Sequence, residues 1–134
     1  MGEQKGKPLD FETIVRRVMA NDRRYAPEAY VFLNEALRFT QAYLGKDSTS
    51  DVAEERHVSG QELVEGIRRL AEEEFGWLAP MVLRGWGLRG TEDFGEMVFN
   101  LVEAGGMLKT SRDTRADFAG GFDFDEAFRR TVKL

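Results

Sequence analysis

Few residues of this 134-residue chain have the types and spacing that catalysis requires. The only histidine, His57, stands two residues before Ser59, and the chain has no cysteine. A lone imidazole without a thiol supplies neither the usual nucleophile and base pair nor a histidine- or thiolate-rich metal site. Beside a helix start, such a ring packs or hydrogen-bonds near the cap. Carboxylates are the other candidates: Asp123 with Asp125, or Glu92, Asp93 and Glu96, carry the oxygen ligands that a hard divalent cation takes. Acids at a helix start more commonly serve the helix dipole. There is no phosphate loop, nucleophile elbow or dinucleotide fingerprint, and the GWGLRG run from 85 to 90 lacks the strand and helix spacing of one. The expectation is a non-enzymatic chain with no catalytic residue, no metal site and no cofactor.

Contact with another macromolecule is the remaining class, and it divides in two. For a protein partner, Trp86 is the first candidate, because Gly85 and Gly87 expose backbone and leave its ring few local neighbours. Arg84 and Arg89 flank it, and Tyr30 lies on a surplus apolar stripe. The competing reading makes Trp86 a core plug. For DNA or RNA, the candidates are Lys109, Arg112 and Arg115 at the tip of an expected wing. The helix before that wing carries Glu92, Asp93, Glu96 and Glu103 and no base, so it would meet phosphates with repulsion. Protein is therefore the expected partner, and nucleic acid the alternative.

The elements that must position these residues are legible from period and punctuation. Residues 1–9 read as a disordered lead. Asp10 caps a first helix with the stripe Phe11, Ile14, Val15, Val18 and Met19 and with Arg16 and Arg17 on its other side. Pro27 opens a second helix that runs to about Leu44, where Gly45 stops it. It is apolar on two sides, one through Tyr30, Leu33, Leu37 and Leu44, the other through Phe32, Ala36, Phe39 and Tyr43. Such a helix is central in the core, or else lends one stripe to a partner. Residues 46–57 read as a polar loop. Ser59 and Glu62 then form a capping box, with Val58 and Leu63 as its hydrophobic staple, and Leu63, Ile67, Leu70, Ala71 and Phe75 as the buried stripe up to Gly76. Trp77 to Trp86 reads as a short fourth helix with Pro80 in its first turn.

From Thr91 the pattern predicts a helix, a glycine stop and a hairpin. Thr91 is the expected cap, and Phe94, Met97, Val98, Leu101 and Val102 share a face that Gly105 and Gly106 end. Met107 and Leu108 restart an apolar run, and Phe122 and Phe124 alternate as a returning strand would. Asp123 and Glu126 also have capping-box spacing, so the prediction is a short strand at 122–124 and then a helical turn. The fold expected is mainly helical α+β: a helical N-terminal half over 10–45, then a winged-helix-like unit over 58–131 with a helix-turn-helix and a C-terminal β-hairpin, all within one domain from 10 to 131.

Four segments together, HVSGQEL at 57–63, Trp86 with Gly87, TEDFGEMVFNLVEAG at 91–105 and FDFDEAFRR at 122–130, resemble the Minf-type family of short bacterial proteins over roughly residues 10–130. That resemblance implies one conserved unit and brings no activity, ligand or site residue.

Composition sets the outer bounds. With 42% hydrophobic and 32% charged residues, the chain has the balance of a soluble globular protein. The absence of cysteine fits a reducing compartment, and no apolar run approaches the ~20 residues of a membrane span, so the expected location is cytoplasmic and no membrane partner is expected. The net charge of −5 disfavours nucleic acid unless a basic patch is local. Charge is also segregated. Residues 1–24 hold six bases against four acids, a balance of +2, whereas 46–74 hold nine acids against four bases, a balance of −5.

Overall fold

In the computed structural model, which describes residues 10–46, 49–107 and 115–129, the regular structure is helical throughout. The seven helices are α1 (Phe11–Asn21), α2 (Pro27–Tyr43), α3 (Ala53–Arg56), α4 (Gly60–Phe75), α5 (Ala79–Gly85), α6 (Glu92–Glu103) and α7 (Phe124–Ala127). Two 3-10 turns, Gly76–Leu78 and Arg115–Phe118, lead into α5 and precede α7.

The starts and stops follow local chemistry. The Asp10 carboxylate accepts from the Thr13 N–H at 2.8 Å, capping α1. At α4 the Ser59 hydroxyl accepts from the Glu62 N–H at 3.0 Å, and the Glu62 carboxylate accepts from the Ser59 N–H at 2.9 Å, a complete capping box. Gly45 follows α2 at φ 71°, which a side chain would resist.

The α2 and α4 pair forms the spine. Thr40 faces Gly66 and Phe32 faces Phe75, so the two helices run antiparallel. Their approach depends on Gly66, where a Cβ would lie 1.7 Å from Thr40 Oγ1. That hydroxyl, itself buried, donates to the Ala36 carbonyl at 2.6 Å, so the crossing leaves it satisfied. Helices α1 and α6 are also antiparallel, with Asp22 against Asn100 and Ile14 against Gly106. One apolar cluster runs from Ile14 and Tyr30 through Ile67, Leu83 and Phe94 to Phe128.

Several expectations are corrected. Among the described residues there is no strand, so the α+β class and the winged-helix-like unit with its C-terminal hairpin do not hold. Phe122 to Phe124 do not pair as a strand. Asp123 caps α7 instead, its carboxylate accepting from the Glu126 N–H at 3.0 Å. Phe122, Phe124 and Phe128 pack as rings, with Phe122 5.7 Å from each of the other two. Alternation alone could not separate these outcomes, since a strand also needs a partner, and none stands beside it among the described residues. The expected wing tip, with Lys109 and Arg112, lies outside the described residues. The polar loop at 46–57 contains the one-turn helix α3.

Thr91 is not a side-chain cap. Its buried hydroxyl donates to the Phe118 carbonyl and accepts from the Gly121 N–H at 3.0 Å, fastening the C-terminal segment to the start of α6. Phe118 completes that closure by lying over Gly60 and Gly95.

Candidate functional site

The residues expected to touch a partner are placed unequally. Trp86 is half-buried at the end of α5, its ring 5.6 Å from Phe32 and 5.8 Å from Phe75 in a three-ring cluster. Its glycine neighbour serves a different purpose from the one expected. Gly87 sits at φ 98°, and a Cβ there would lie 2.3 Å from the Arg24 carbonyl, so the loop before α2 can close onto the Trp86 backbone. The Ala26 N–H donates to the Trp86 carbonyl at 3.0 Å across that contact. Tyr30 is 0% exposed, and its hydroxyl accepts from the Asn100 amide at 3.0 Å, which removes it from any surface. Arg84 is exposed but engaged: both its terminal nitrogens donate to Asp125 at 2.9 Å, joining α5 to α7. Arg89 is exposed, and its backbone N–H donates to Asp93 at 2.7 Å.

Of the nucleic-acid candidates, Arg115 alone lies among the described residues. Its guanidinium sits 3.9 Å from the Phe99 ring centre and pairs with Glu96 at 3.5 Å. This basic group is matched within the fold by a carboxylate and a ring.

The carboxylates considered for metal binding also have other work. Among the described residues no group of three or more acids or histidines is arranged to hold a metal ion. Asp93 accepts from the Tyr25 hydroxyl at 2.6 Å, and Glu96 bridges Arg24 and Arg115. Asp22 accepts from Arg24 at 2.7 Å and from Asn100 at 3.0 Å. Together these form a polar seam between the loop before α2 and α6. Hydrogen bonds from Arg24 hold the Asp22 carboxyl far below the usual carboxylate range. Burial, then the bond to Asp93, pushes the Tyr25 phenol well up. Asp22 and Glu96 meet arginines, and Asp93 accepts from the Tyr25 hydroxyl and the Arg89 N–H, so the seam works as a clasp.

The chemistry left open is apolar, and it lies where α4 turns into α5. Trp77 is 56% exposed, Leu78 42% and Met81 69%, on one 3-10 turn and the first turn of the next helix. The antiparallel pairing brings the start of α2 to the same end, and there Val31 is 50% exposed. Acids stand on the two helices that meet at this end. Glu28 and Glu35 on α2 and Glu72, Glu73 and Glu74 on α4 are all exposed. The Glu74 carboxyl is raised above its usual range, first by burial and then by Glu35 and Glu73. Among the described residues only Glu72 of these five has a basic partner, Arg68 at 3.5 Å.

The motifs above did not single out this corner, but one signal for it stands in the sequence. Pro80 belongs in the first turn of a helix, so α5 starts near Ala79, and Trp77 and Leu78 must fall on the turn before it. No family model, no curated protein and no solved structure matches the chain. Among the described residues, no helix is long and apolar enough to cross a membrane.

Proposed function

We propose that this chain is a non-enzymatic protein-binding module, working in the cytoplasm, that docks a partner polypeptide on the corner formed by Trp77, Leu78, Met81 and Val31. The observation that carries this reading is the exposure of three large apolar side chains within five consecutive residues, Trp77, Leu78 and Met81, a denser run than the exposed Tyr43 and Leu44, Val52 or Phe99 elsewhere. Tryptophan supplies rigid contact area, and methionine adapts its shape to a partner. The cysteine-free composition fits the cytoplasm. The resemblance to the Minf-type family carries no activity, so the reading rests on geometry alone. Of the basic groups expected to meet nucleic acid, Arg115 is already paired within the fold, and Lys109 and Arg112 lie outside the described residues.

The test is site-resolved photocrosslinking in cells, with the photoreactive residue at Met81 or Val31 and, as control, at the exposed Arg16 of α1. A discrete crosslinked protein is expected from positions 81 and 31, absent from position 16 and lost when Trp77→Ala is added. Equal crosslinking from all three positions would sink the proposal.

A further inference from the structure

Resting on that docking reading, we infer that the partner segment is a cationic amphipathic helix, an apolar stripe bordered by lysine or arginine. Charge complementarity around an apolar centre points to this class. Trp77, Leu78 and Met81 offer the apolar contact, and the acids come from the last turn of α4, which runs into it, and from the N-terminal half of α2 packed beside α4. Glu28, Glu35, Glu73 and Glu74 have no basic partner among the described residues, although the same fold pairs Asp22, Glu65, Glu96 and Asp125 with arginines. Glu35 of α2 and Glu73 both act on the Glu74 carboxylate, so acids of the two helices meet at this end, and a bound cationic segment would relieve their repulsion of Glu74. The apolar centre supplies the affinity, and the acidic rim selects against acidic partners and anionic membranes.

This class is separable from its rivals by a designed probe. The peptide has about 18 residues, five helical turns, with a leucine stripe flanked by lysines; its counterpart carries glutamates in place of the lysines. Fluorescence anisotropy of each labelled peptide is followed with the full chain. The lysine peptide is expected to bind saturably and the glutamate peptide at least about tenfold more weakly. Met81→Asp is expected to weaken the lysine peptide by about tenfold, even though it adds a negative charge. Joint replacement Glu35→Gln, Glu73→Gln and Glu74→Gln should weaken it about fivefold. Circular dichroism and thermal melting of each variant confirm the fold.

Unchanged or tighter binding by Met81→Asp would reduce the effect to general adhesion of a cationic peptide and overturn the inference. So would equal binding of the two peptides. Sedimentation of the chain with phosphatidylglycerol vesicles, or self-association abolished by Met81→Asp, would assign the corner to a membrane or to a second copy instead, and would also overturn it. A specific crosslink at position 81 with no binding of the lysine peptide leaves the docking reading standing and removes only the cationic class.

Discussion

The chain's two tryptophans stand nine positions apart at opposite ends of α5, and they meet different fates. Trp86 turns inward and completes a cluster with Phe32 and Phe75, while Trp77, on the turn that enters α5, remains more than half exposed. Neither local composition nor glycine content explains the difference. Each has a glycine beside it, Gly76 at φ 58° and Gly87 at φ 98°. The space in front of each glycine distinguishes them: a Cβ at Gly76 would meet nothing within 4 Å, whereas one at Gly87 would strike the Arg24 carbonyl. One glycine serves a turn with open space in front of its Cα. The other admits a neighbouring loop, and the ring beside it is enclosed by the elements that loop brings in.

This contrast breaks most directly by truncation. Trp86→Ala is expected to cost about 3 kcal/mol or more, since it empties an aromatic cluster, whereas Trp77→Ala stays within about 0.5 kcal/mol. Chemical denaturation of both variants measures it, and equal losses would show that the two rings share one role.

A second way to sharpen it is at the spine that holds both ends of α4. Gly66→Ala is expected to cost about 1–3 kcal/mol, because the added methyl meets Thr40, whose hydroxyl is held by the Ala36 carbonyl. Thr40→Ala added to it should recover part of that loss, a non-additivity that a double-mutant cycle reads. Full additivity would mean that the two helices adjust their separation freely.

The polar seam predicts a smaller effect that depends on pH. Asp22→Asn is expected to cost about 1–2 kcal/mol at neutral pH, since the Arg24 guanidinium loses the closer of its two carboxylates and keeps only Glu96. The folded-state pKa of Asp22 is depressed. Its contribution is therefore fully present above the unfolded value near 4, and it is lost as pH falls from there toward the folded value. Unfolding free energies of the wild type and Asp22→Asn should converge below about pH 4. A gap that persists unchanged into strong acid would exclude the charged clasp.

The smallest stability effect belongs to the proposed contact itself. Met81→Asp should move stability by no more than about 0.5 kcal/mol, while removing the crosslink and the peptide affinity. Loss of fold in this variant would make the corner part of the core.

Much of the helical frame was readable without the structure. Asp10, Pro27, Ser59 with Glu62, Gly45 and Gly76 mark helix ends by hydrogen-bonding and torsional rules that act within a few residues. The stripes of α1, α4 and α6 named most of their buried residues, with Val64 missed and Phe11, Met19, Phe75 and Val98 only partly buried, because a helical period projects onto one face whatever the fold. Sequence therefore determined where most helices start and stop, which faces they bury, and that acid and base are unevenly distributed along the chain.

Tertiary structure decided everything that depends on what lies opposite. Phe122 to Phe124 fit a strand and a helix start equally well in sequence, and in the fold Asp123 takes the capping role, with no partner strand among the described residues. Thr91 has the hydroxyl of a cap, yet the chain returning from Phe118 to Gly121 claimed it. Trp86 and Tyr30 could be given types and neighbours in sequence, but their burial came from α2, α4 and α6 packing around them. The physical reason is range: caps and periods are set within a turn or two, whereas exposure is set by chain segments tens of residues away that compete for the same surface.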